Sequence, residues 1–331
     1  MCLLTKYDSA PTMKDVAKDA GVSLGTVSKV VNGLPVGKVY QRKVEASIQK
    51  LNYQVNSYAK GLKTNKTYTV AFLIPDTFNP FFGWLTYYIN RELEKRGYRM
   101  LLCATNADTR MEQSYITMAQ QNKVDGIICL SYNEGLQVQE GLPFVTIDRH
   151  FSGSVPCVSS DNFSGGQMAA QRLDELGCRH VAFLSIGSPL TNETTKRGDG
   201  FLSYCASHGL AYELLRLYDG APFSSFTDFL QQHLAEAVPI DGIFCVNDSL
   251  AVKIILYLRE QGVRVPEDVQ VIGYDGVKDY ITEDYHCSTI IQPLDKMAEV
   301  SVDMLLSQDW SNTPSLVCLP VTYAPGGTTK E

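Results

Sequence analysis

The stretch Thr12-Met13-Lys14-Asp15-Val16-Ala17-Lys18-Asp19-Ala20-Gly21-Val22-Ser23-Leu24-Gly25-Thr26-Val27-Ser28-Lys29-Val30-Val31-Asn32-Gly33 decides how the chain begins. Thr12, with Asp15 three residues on, has the form of a capping box, in which each side chain satisfies the other's unpaired backbone N–H. Val16, Ala17 and Ala20 follow at helical spacing, and Gly21 ends that short helix. Val22 reads as a buried turn residue. Ser23 caps a second helix whose inward positions are Val27, Val30 and Val31, and Asn32-Gly33 stops it. A third helix is expected from about Gln41 to Leu51, with Val44, Ile48 and Leu51 inward. Two short helices joined by a tight glycine-containing turn form the arrangement whose second helix enters the major groove of DNA. Leu24, Gly25, Ser28 and Lys29 would be its exposed N-terminal positions.

Charge sharpens this expectation. The chain of 331 residues carries a net charge of −7. Residues 1–66 nevertheless hold eleven Lys and Arg against four Asp and Glu, a surplus of seven, and the remainder holds 18 basic against 32 acidic residues. A basic segment on an acidic body is the electrostatic footprint of a small nucleic-acid-binding module joined to a larger domain. Apolar runs are too short to span a bilayer, and the start is too weakly apolar for a signal peptide, so no membrane association is expected. The nine cysteines form no C-x-x-C pair, and Cys103, Cys129 and Cys245 lie inside apolar runs. That usage fits a reduced cytoplasmic setting better than a disulfide framework.

Thr64-Asn65-Lys66-Thr67 is polar and without periodicity, which places a domain boundary between 1–67 and 68–331. Beyond it strand-like and helix-like segments alternate. Val70–Ile74 reads as a buried strand, followed by a helix with Phe82, Leu85, Ile89 and Leu93 on one face and a strand at Arg99–Thr105. Gly126–Leu130, Phe144–Ile147, Val181–Ser185, Gly242–Val246, Val269–Tyr274 and the short Ser288–Ile291 continue the series. The fold class is therefore α/β: an all-α helix-turn-helix headpiece, then two lobes of helix-covered parallel sheet. Ligands of such sheets bind beyond the C-terminal ends of the strands. Polar and aromatic residues stand at those ends: Asn79 with Phe81 and Phe82, Asp148 with Arg149, Asn247, Tyr274 with Asp275, and Gln292. Arg197 opens a further helix. Each has a plain structural reading; Asn79 before Pro80 is a good N-cap with Pro at N1, and Asn247 or Asp248 would cap the helix after it. Together they form a convergent polar set with aromatics, suited to a small polar ligand.

The run 12–33, continued by Val44-Glu45, Leu51-Asn52-Tyr53 and Asn56-Ser57-Tyr58-Ala59-Lys60-Gly61-Leu62, resembles the headpiece of the LacI/GalR family of transcriptional regulators. The resemblance implies DNA contacts from Thr12, Lys14, Ser23, Leu24, Gly25, Thr26, Ser28, Lys29, Asn32, Tyr40, Ala59, Leu62 and Lys63. It also implies a hinge helix at about 56–62 that folds on the operator, with Leu62 wedged into the minor groove; apolar wedges of this kind kink DNA. Asn79-Pro80-Phe81-Phe82, Asp148-Arg149, Arg197-Gly198-Asp199-Gly200-Phe201, Asn247-Asp248, Tyr274-Asp275 and Gln292-Pro293 resemble the ribose-type periplasmic binding proteins, whose fold the family's sensing domain shares. Asp161-Asn162 with Gly165-Gly166 resembles the crossover between lobes. The likeness runs from Thr12 to about Tyr323. It implies one lobe from about 68–161 and 293–320 and a second from about 162–292 and 321–331, with an effector held between them.

Several positions depart from the family pattern. Val55 stands where Pro is usual, and Gly37 and Tyr40 stand where Ser and Thr are usual. Lys29 replaces a commoner Arg, exchanging a rigid fork for a point donor, so base discrimination by hydrogen bonding is expected to be weaker. Met297-Ala298 stands where Gly is frequent. The tail Ala324-Pro325-Gly326-Gly327 lacks the usual arginine, and no leucine-heptad extension follows it.

An enzyme on a dinucleotide-binding fold is the first competing class. No G-x-G-x-x-G follows the first strand, no phosphate loop or nucleophile elbow is present, and His150, His180, His208, His233 and His286 are scattered. No metal or cofactor is expected. A periplasmic solute-binding protein would explain residues 68–331 but not the headpiece, and a catabolite-control-type regulator stays open within the family. The expectation is a homodimeric repressor on a palindromic double-stranded operator, controlled by a sugar-like effector. A sugar phosphate, sugar acid or purine is the alternative.

Overall fold

The structure, a computed structural model, describes residues 11–31, 33–53, 66–121, 124–131, 133, 136–138, 141–149, 155–188, 192–307 and 312–331. Its contacts fall into two compact units, Met1–Thr67 and Tyr68–Glu331.

The described residues of the first unit form three helices, α1 (Met13–Ala20), α2 (Leu24–Val31) and α3 (Lys38–Lys50). The capping box is formed. Asp15 accepts from the Thr12 backbone N–H at 2.8 Å, and Thr12 Oγ1 accepts from Asp15 N–H at 3.4 Å. Gly21 caps the helix at φ +64°, a left-handed conformation that costs glycine little. Ser23 Oγ accepts from Thr26 N–H at 3.1 Å and so starts α2. Val16, Val27 and Val44 are fully buried, with Ala17 and Tyr53 beside them, so each helix contributes one valine to a small core. The third helix starts three residues before the expected Gln41. Gly37 accepts the first intrahelical bonds through its carbonyl, and nothing in Lys38-Val39-Tyr40 opposes helix.

In the second unit the strands are β1 (Thr69–Ile74), β2 (Arg99–Ala104), β3 (Gly126–Cys129), β4 (Phe144–Ile147), β5 (Cys157–Ser160), β6 (His180–Gly187), β7 (Ala211–Tyr218), β8 (Gly242–Cys245), β9 (Gln270–Asp275), β10 (Ser288–Ile291), β11 (Leu316–Leu319) and β12 (Thr322–Ala324). The helices between them are α4 (Pro80–Lys95), α5 (Thr109–Gln121), α6 (Asn162–Glu175), α7 (Lys196–His208), α8 (Ser224–Leu234), α9 (Asp248–Glu260) and α10 (Leu294–Leu306). Among the described residues they make two sheets of six, in the orders β11-β5-β4-β3-β1-β2 and β12-β10-β9-β8-β6-β7. All the pairings are parallel except β10 with β12. Central strands such as β3, β4 and β8 are buried throughout, as parallel strands covered on both faces must be.

The chain passes between the sheets three times, after β5, after β10 and after β11. Each sheet reverses its strand order once, between β1 and β3 and between β6 and β8, and such switch points open a crevice at the strands' C-terminal ends. Phe183, Phe201 and Phe244 pack ring to ring, with centroids 5.2 to 6.0 Å apart, in the core of the second sheet. Burial of one such ring contributes about 1.5–3 kcal/mol.

Glycines set how closely α6 and α7 cross. A Cβ at Gly166 would collide with the Arg197 carbonyl, and one at Gly200 with the Phe163 carbonyl. The helices therefore touch backbone to backbone, which fixes where Arg197 leaves α7. Among the described residues no helix is long and apolar enough to cross a membrane, and no three metal-ligating side chains converge.

Candidate functional site

A cleft of about 290 Å³ lies at the C-terminal ends of strands from both sheets. Its wall comes from Pro75, Asp76, Asn79, Phe81, Phe82, Ala107 and Asp148 on the first sheet's side, and from Ile186, Gly187, Ser188, Asn192, Thr194, Arg197, Asp219, Val246, Asn247 and Asp275 on the other. Asn79 caps α4, its Oδ1 accepting from Phe81 N–H at 3.1 Å, and Asn247 caps α9 by accepting from Leu250 N–H at 2.8 Å. Capping occupies Oδ1, so the amide NH₂ is the end each offers to a ligand. The cap and the binding role are compatible.

Arg197 is the centre of a buried polar network. It is 4% exposed, yet its guanidinium donates to Asn162 Oδ1 at 2.7 Å, to the Val246 carbonyl at 2.7 Å and to Asp275 Oδ1 at 3.3 Å. Gln292 Nε2 also donates to Asp275 Oδ1, at 2.7 Å, and Ser160 donates to Gln292 Oε1 at 2.8 Å. Asn162 Nδ2 donates to Ser159 Oγ at 3.1 Å, and Ser159 donates to Asp148 Oδ1 at 2.7 Å. Ser160 and Asn162 flank the first passage between sheets and Gln292 lies in the second. Apart from the Val246 carbonyl, the groups that hold Arg197 and Asp275 thus stand at the connections between lobes.

Strain and charge concentrate here. Among the described residues seven non-glycine residues have positive φ, and Ala107, Asp148 (+55°) and Asp275 (+119°) all line the cleft. Such conformations cost about 1–3 kcal/mol each and persist where surrounding contacts over-determine them. Burial raises the Asp148 carboxyl above the usual carboxylate range against the opposing pull of Arg197, and burial likewise raises Asp219. Asp275 is raised by burial although Arg197 and Gln292 favour its charged form. Asp248, buried behind the cleft, is raised by burial and then by the Asp275 charge. Four aspartates (Asp76, Asp148, Asp219, Asp275) face the cleft against one arginine.

Of the residues expected from sequence, Asn79, Phe81, Phe82, Asp148, Arg197, Asn247 and Asp275 line this cleft. Tyr274, Gln292 and Arg149 do not. Tyr274 is fully buried beneath Arg197, and Gln292 positions Asp275 from behind. Arg149 is 5% exposed. Asp248 does not cap α9; it accepts from Val277 N–H at 2.7 Å and Thr289 Oγ1 at 2.6 Å, tying the turn after β9 to β10. Lys196, the neighbour of Arg197 in the chain, is held by Glu193 at 2.8 Å and is not part of the wall. Asp76, Asn192, Thr194 and Asp219 were missed. Asp76 follows β1, within reach of the strand-end rule, and Asp219 follows β7, which the same rule would have used had β7 been recognised.

In the first unit, Thr12, Lys14, Ser23, Leu24, Gly25, Lys29 and Tyr40 are exposed, and Thr26 and Ser28 are half-buried. Leu24 and Tyr40 are 45% and 54% exposed. Asn32, Ala59, Leu62 and Lys63, with the expected hinge helix at about 56–62, lie outside the described residues.

Residues 67–308 match the family described as periplasmic binding proteins and sugar binding domain of LacI family, and residues 12–56 match the bacterial regulatory proteins of the lacI family. The chain belongs to the LacI family. Like other LacI-family proteins it is a DNA-binding transcriptional regulator, with its helix-turn-helix followed by a sensing domain of the periplasmic-binding-protein type. The sucrose operon repressor of Pediococcus pentosaceus is 34% identical to it over 307 residues, covering 90% of this chain and 92% of the relative. The ribose operon repressor of Escherichia coli (strain K12) is 32% identical over 308 residues, covering 89% and 92%. The lac repressor dimer bound to operator and the anti-inducer ONPF superposes with a TM-score of 0.82 over 97% of this chain and 100% of that chain, at 22% identity, a likeness of fold.

Proposed function

We propose that this LacI-family chain is a cytoplasmic homodimeric repressor, not an enzyme, whose affinity for a palindromic operator is set by a neutral, polyhydroxylated sugar in the cleft. Residues 1–67 would carry the DNA contacts, with the hinge at about 56–62 and the Leu62 wedge. Residues 68–331 would carry the effector. The similar sucrose and ribose operon repressors support control of a sugar operon.

The charge balance of the cleft carries the choice of effector. A phosphorylated or acidic sugar needs an excess of donors and cations. This wall offers four carboxylates and one guanidinium, itself neutralised in part by Asp275, and the nearby Lys196 is taken by Glu193. A sugar hydroxyl both donates and accepts, so it is served by Asp148 and Asp275 as acceptors beside the Arg197, Asn79 and Asn247 donors. Phe81 and Phe82 offer apolar cover for the C–H face of the ring. A ligand touching Arg197 and Asp275 also touches the network that reaches Ser160, Asn162 and Gln292 at the lobe connections. Unequal affinity for two lobe orientations would then alter the spacing of paired hinges and so DNA affinity.

Calorimetry of the full chain against neutral sugars, sugar phosphates, sugar acids and purine bases, with gel retardation of operator DNA in each ligand, tests this reading. A neutral sugar should bind and shift DNA affinity. A phosphate ester, acid or purine as the tightest ligand overturns it.

A further inference from the structure

Beside the cleft, on the side of β6 and β7, lies a second cavity of about 200 Å³. The two share Ile186, Gly187 and Ser188 at the end of β6, Asn192 and Thr194 before α7, and Val246 after β8, so they are compartments of one space. Gly187 is one of the shared residues, and a Cβ there would meet nothing within 4 Å.

The outer compartment has its own chemistry. Arg216 on β7 donates to Asp199 Oδ1 on α7 at 2.8 Å, with side chains 38% and 50% exposed. Exposed pairs of this kind contribute little to stability, so both groups can turn to a ligand at small cost. Gly198 makes its geometry possible. A Cβ there would meet Phe183 at 2.6 Å and Arg216 NH2 at 2.8 Å, so the guanidinium rests against the first turn of α7 because position 198 has no side chain. Tyr218, 60% exposed, stands two residues further along β7 and supplies an aromatic wall.

We infer that the outer compartment is a second sugar subsite and that the effector is a two-ring saccharide, one ring in the cleft and the other against Arg216, Asp199 and Tyr218. This rests on the reading of the cleft as a sugar site. Alone, about 290 Å³ is at the lower bound of the roughly 300–1,000 Å³ of ligand pockets, and the outer compartment adds the room a second ring needs. Adjacent hydroxyls donate to Asp199 while accepting from Arg216, satisfying both partners at once. A phosphate would face the Asp199 carboxylate, so the second group is neutral.

The test is calorimetry on the full chain with sucrose, maltose and cellobiose beside glucose, fructose and ribose. One disaccharide should bind more tightly than either of its component sugars. Arg216→Ala and Asp199→Asn, both at exposed positions, should lower that affinity about tenfold or more and leave the component sugar's affinity unchanged. Gly187→Leu, which adds a side chain at a residue both compartments share, should cost the disaccharide more than the monosaccharide. Wild type that prefers a monosaccharide, or variants that weaken both sugars equally, overturns the subsite and leaves the sugar reading standing. Absence of binding by every sugar overturns both.

Discussion

The Arg197 guanidinium carbon lies 3.7 Å from the centre of the Tyr274 ring while its NH1 donates to Asp275 Oδ1 at 3.3 Å. Consecutive residues of β9 therefore hold one arginine from two sides, the ring by its face and the carboxylate by its charge. Both positions of β9 are buried, and only Asp275 reaches the cleft wall. A ligand that meets Asp275 thus meets a group already committed to Arg197 and Gln292.

Asp275→Asn keeps the shape and removes the charge. Effector affinity should fall by about 1.5–3 kcal/mol, the worth of a hydrogen bond to a charged group. The melting temperature at neutral pH should hold or rise, because burial already disfavours the charged form of this group and an Asn Oδ1 still accepts from Arg197 and Gln292. DNA binding without effector should survive. Calorimetry, thermal melting and gel retardation separate the three, and unchanged effector affinity would remove Asp275 from the binding site.

Acidity should act on stability and on binding in opposite senses. Burial raises Asp275 to about 6, above the ~4 of an unfolded carboxylate. Between those values the folded chain holds a proton the unfolded chain has released, so this group's contribution to stability falls as pH rises from about 4 to about 6 and is flat above. Asp248, also raised, extends that fall to higher pH. Hydroxyl donation needs the charged carboxylate, so effector affinity should drop as pH falls below about 6. Calorimetry and melting at about pH 5 and about pH 7.5 should show both trends, and Asp275→Asn should flatten the binding trend.

Gly166→Ala should lower stability by about 1–3 kcal/mol or more, the range for overpacking, because the new methyl group would collide with the Arg197 carbonyl. Moving that carbonyl moves Arg197, so effector affinity should decline as well. Denaturant unfolding with calorimetry checks this; a variant as stable as wild type would show that α6 and α7 separate freely.

Lys196→Ala should leave effector affinity within about 0.5 kcal/mol of wild type, since Glu193 already binds the ammonium and a change away from any special feature has small effects. A phosphorylated effector drawing on Lys196 would instead lose tenfold or more.

DNA affinity should fall steeply with salt, with a log–log slope of about −0.9 per phosphate neutralised. A chain lacking residues 1–66 should fail to retard the operator. Lys29→Ala should cost about 1–3 kcal/mol on the operator alone if the lysine reads a base, and an equal loss on every sequence would assign it to phosphate. Leu62→Ala should reduce both affinity and bending, measured by circular-permutation gel shifts.

Elements with strong internal signals were legible from sequence. The capping box at Thr12 and Asp15, the Gly21 stop and the buried apolar strands β1, β3, β4 and β8 each announce themselves within a few residues. The strand β7, Ala211–Tyr218, did not. It is an edge strand with exposed positions alternating with half-buried ones, so Glu213 and Arg216 interrupt the apolar run that identifies its neighbours. Losing β7 lost Asp219, and with it one of the carboxylates that bias the cleft. Tyr274 and Gln292 show the converse. Strand-end position puts a residue near a site but does not say which way it faces, and both point into the network behind the wall.

Residues 316–331 give an edge strand to each sheet, β11 to one and β12 to the other, and the tail is then pinned by Thr328 Oγ1, which donates to the Val271 carbonyl at 2.7 Å and accepts from Ser288 N–H at 2.8 Å. Translation supplies this stretch after every other element of both lobes. Until it leaves the ribosome, β5 and β10 present open hydrogen-bonding edges, the kind of surface that recruits other chains. A product stopped short of Leu316 would expose both edges and invite aggregation or proteolysis. The two lobes are therefore finished within a few residues of each other, and the cell meets a regulator whose halves close almost together.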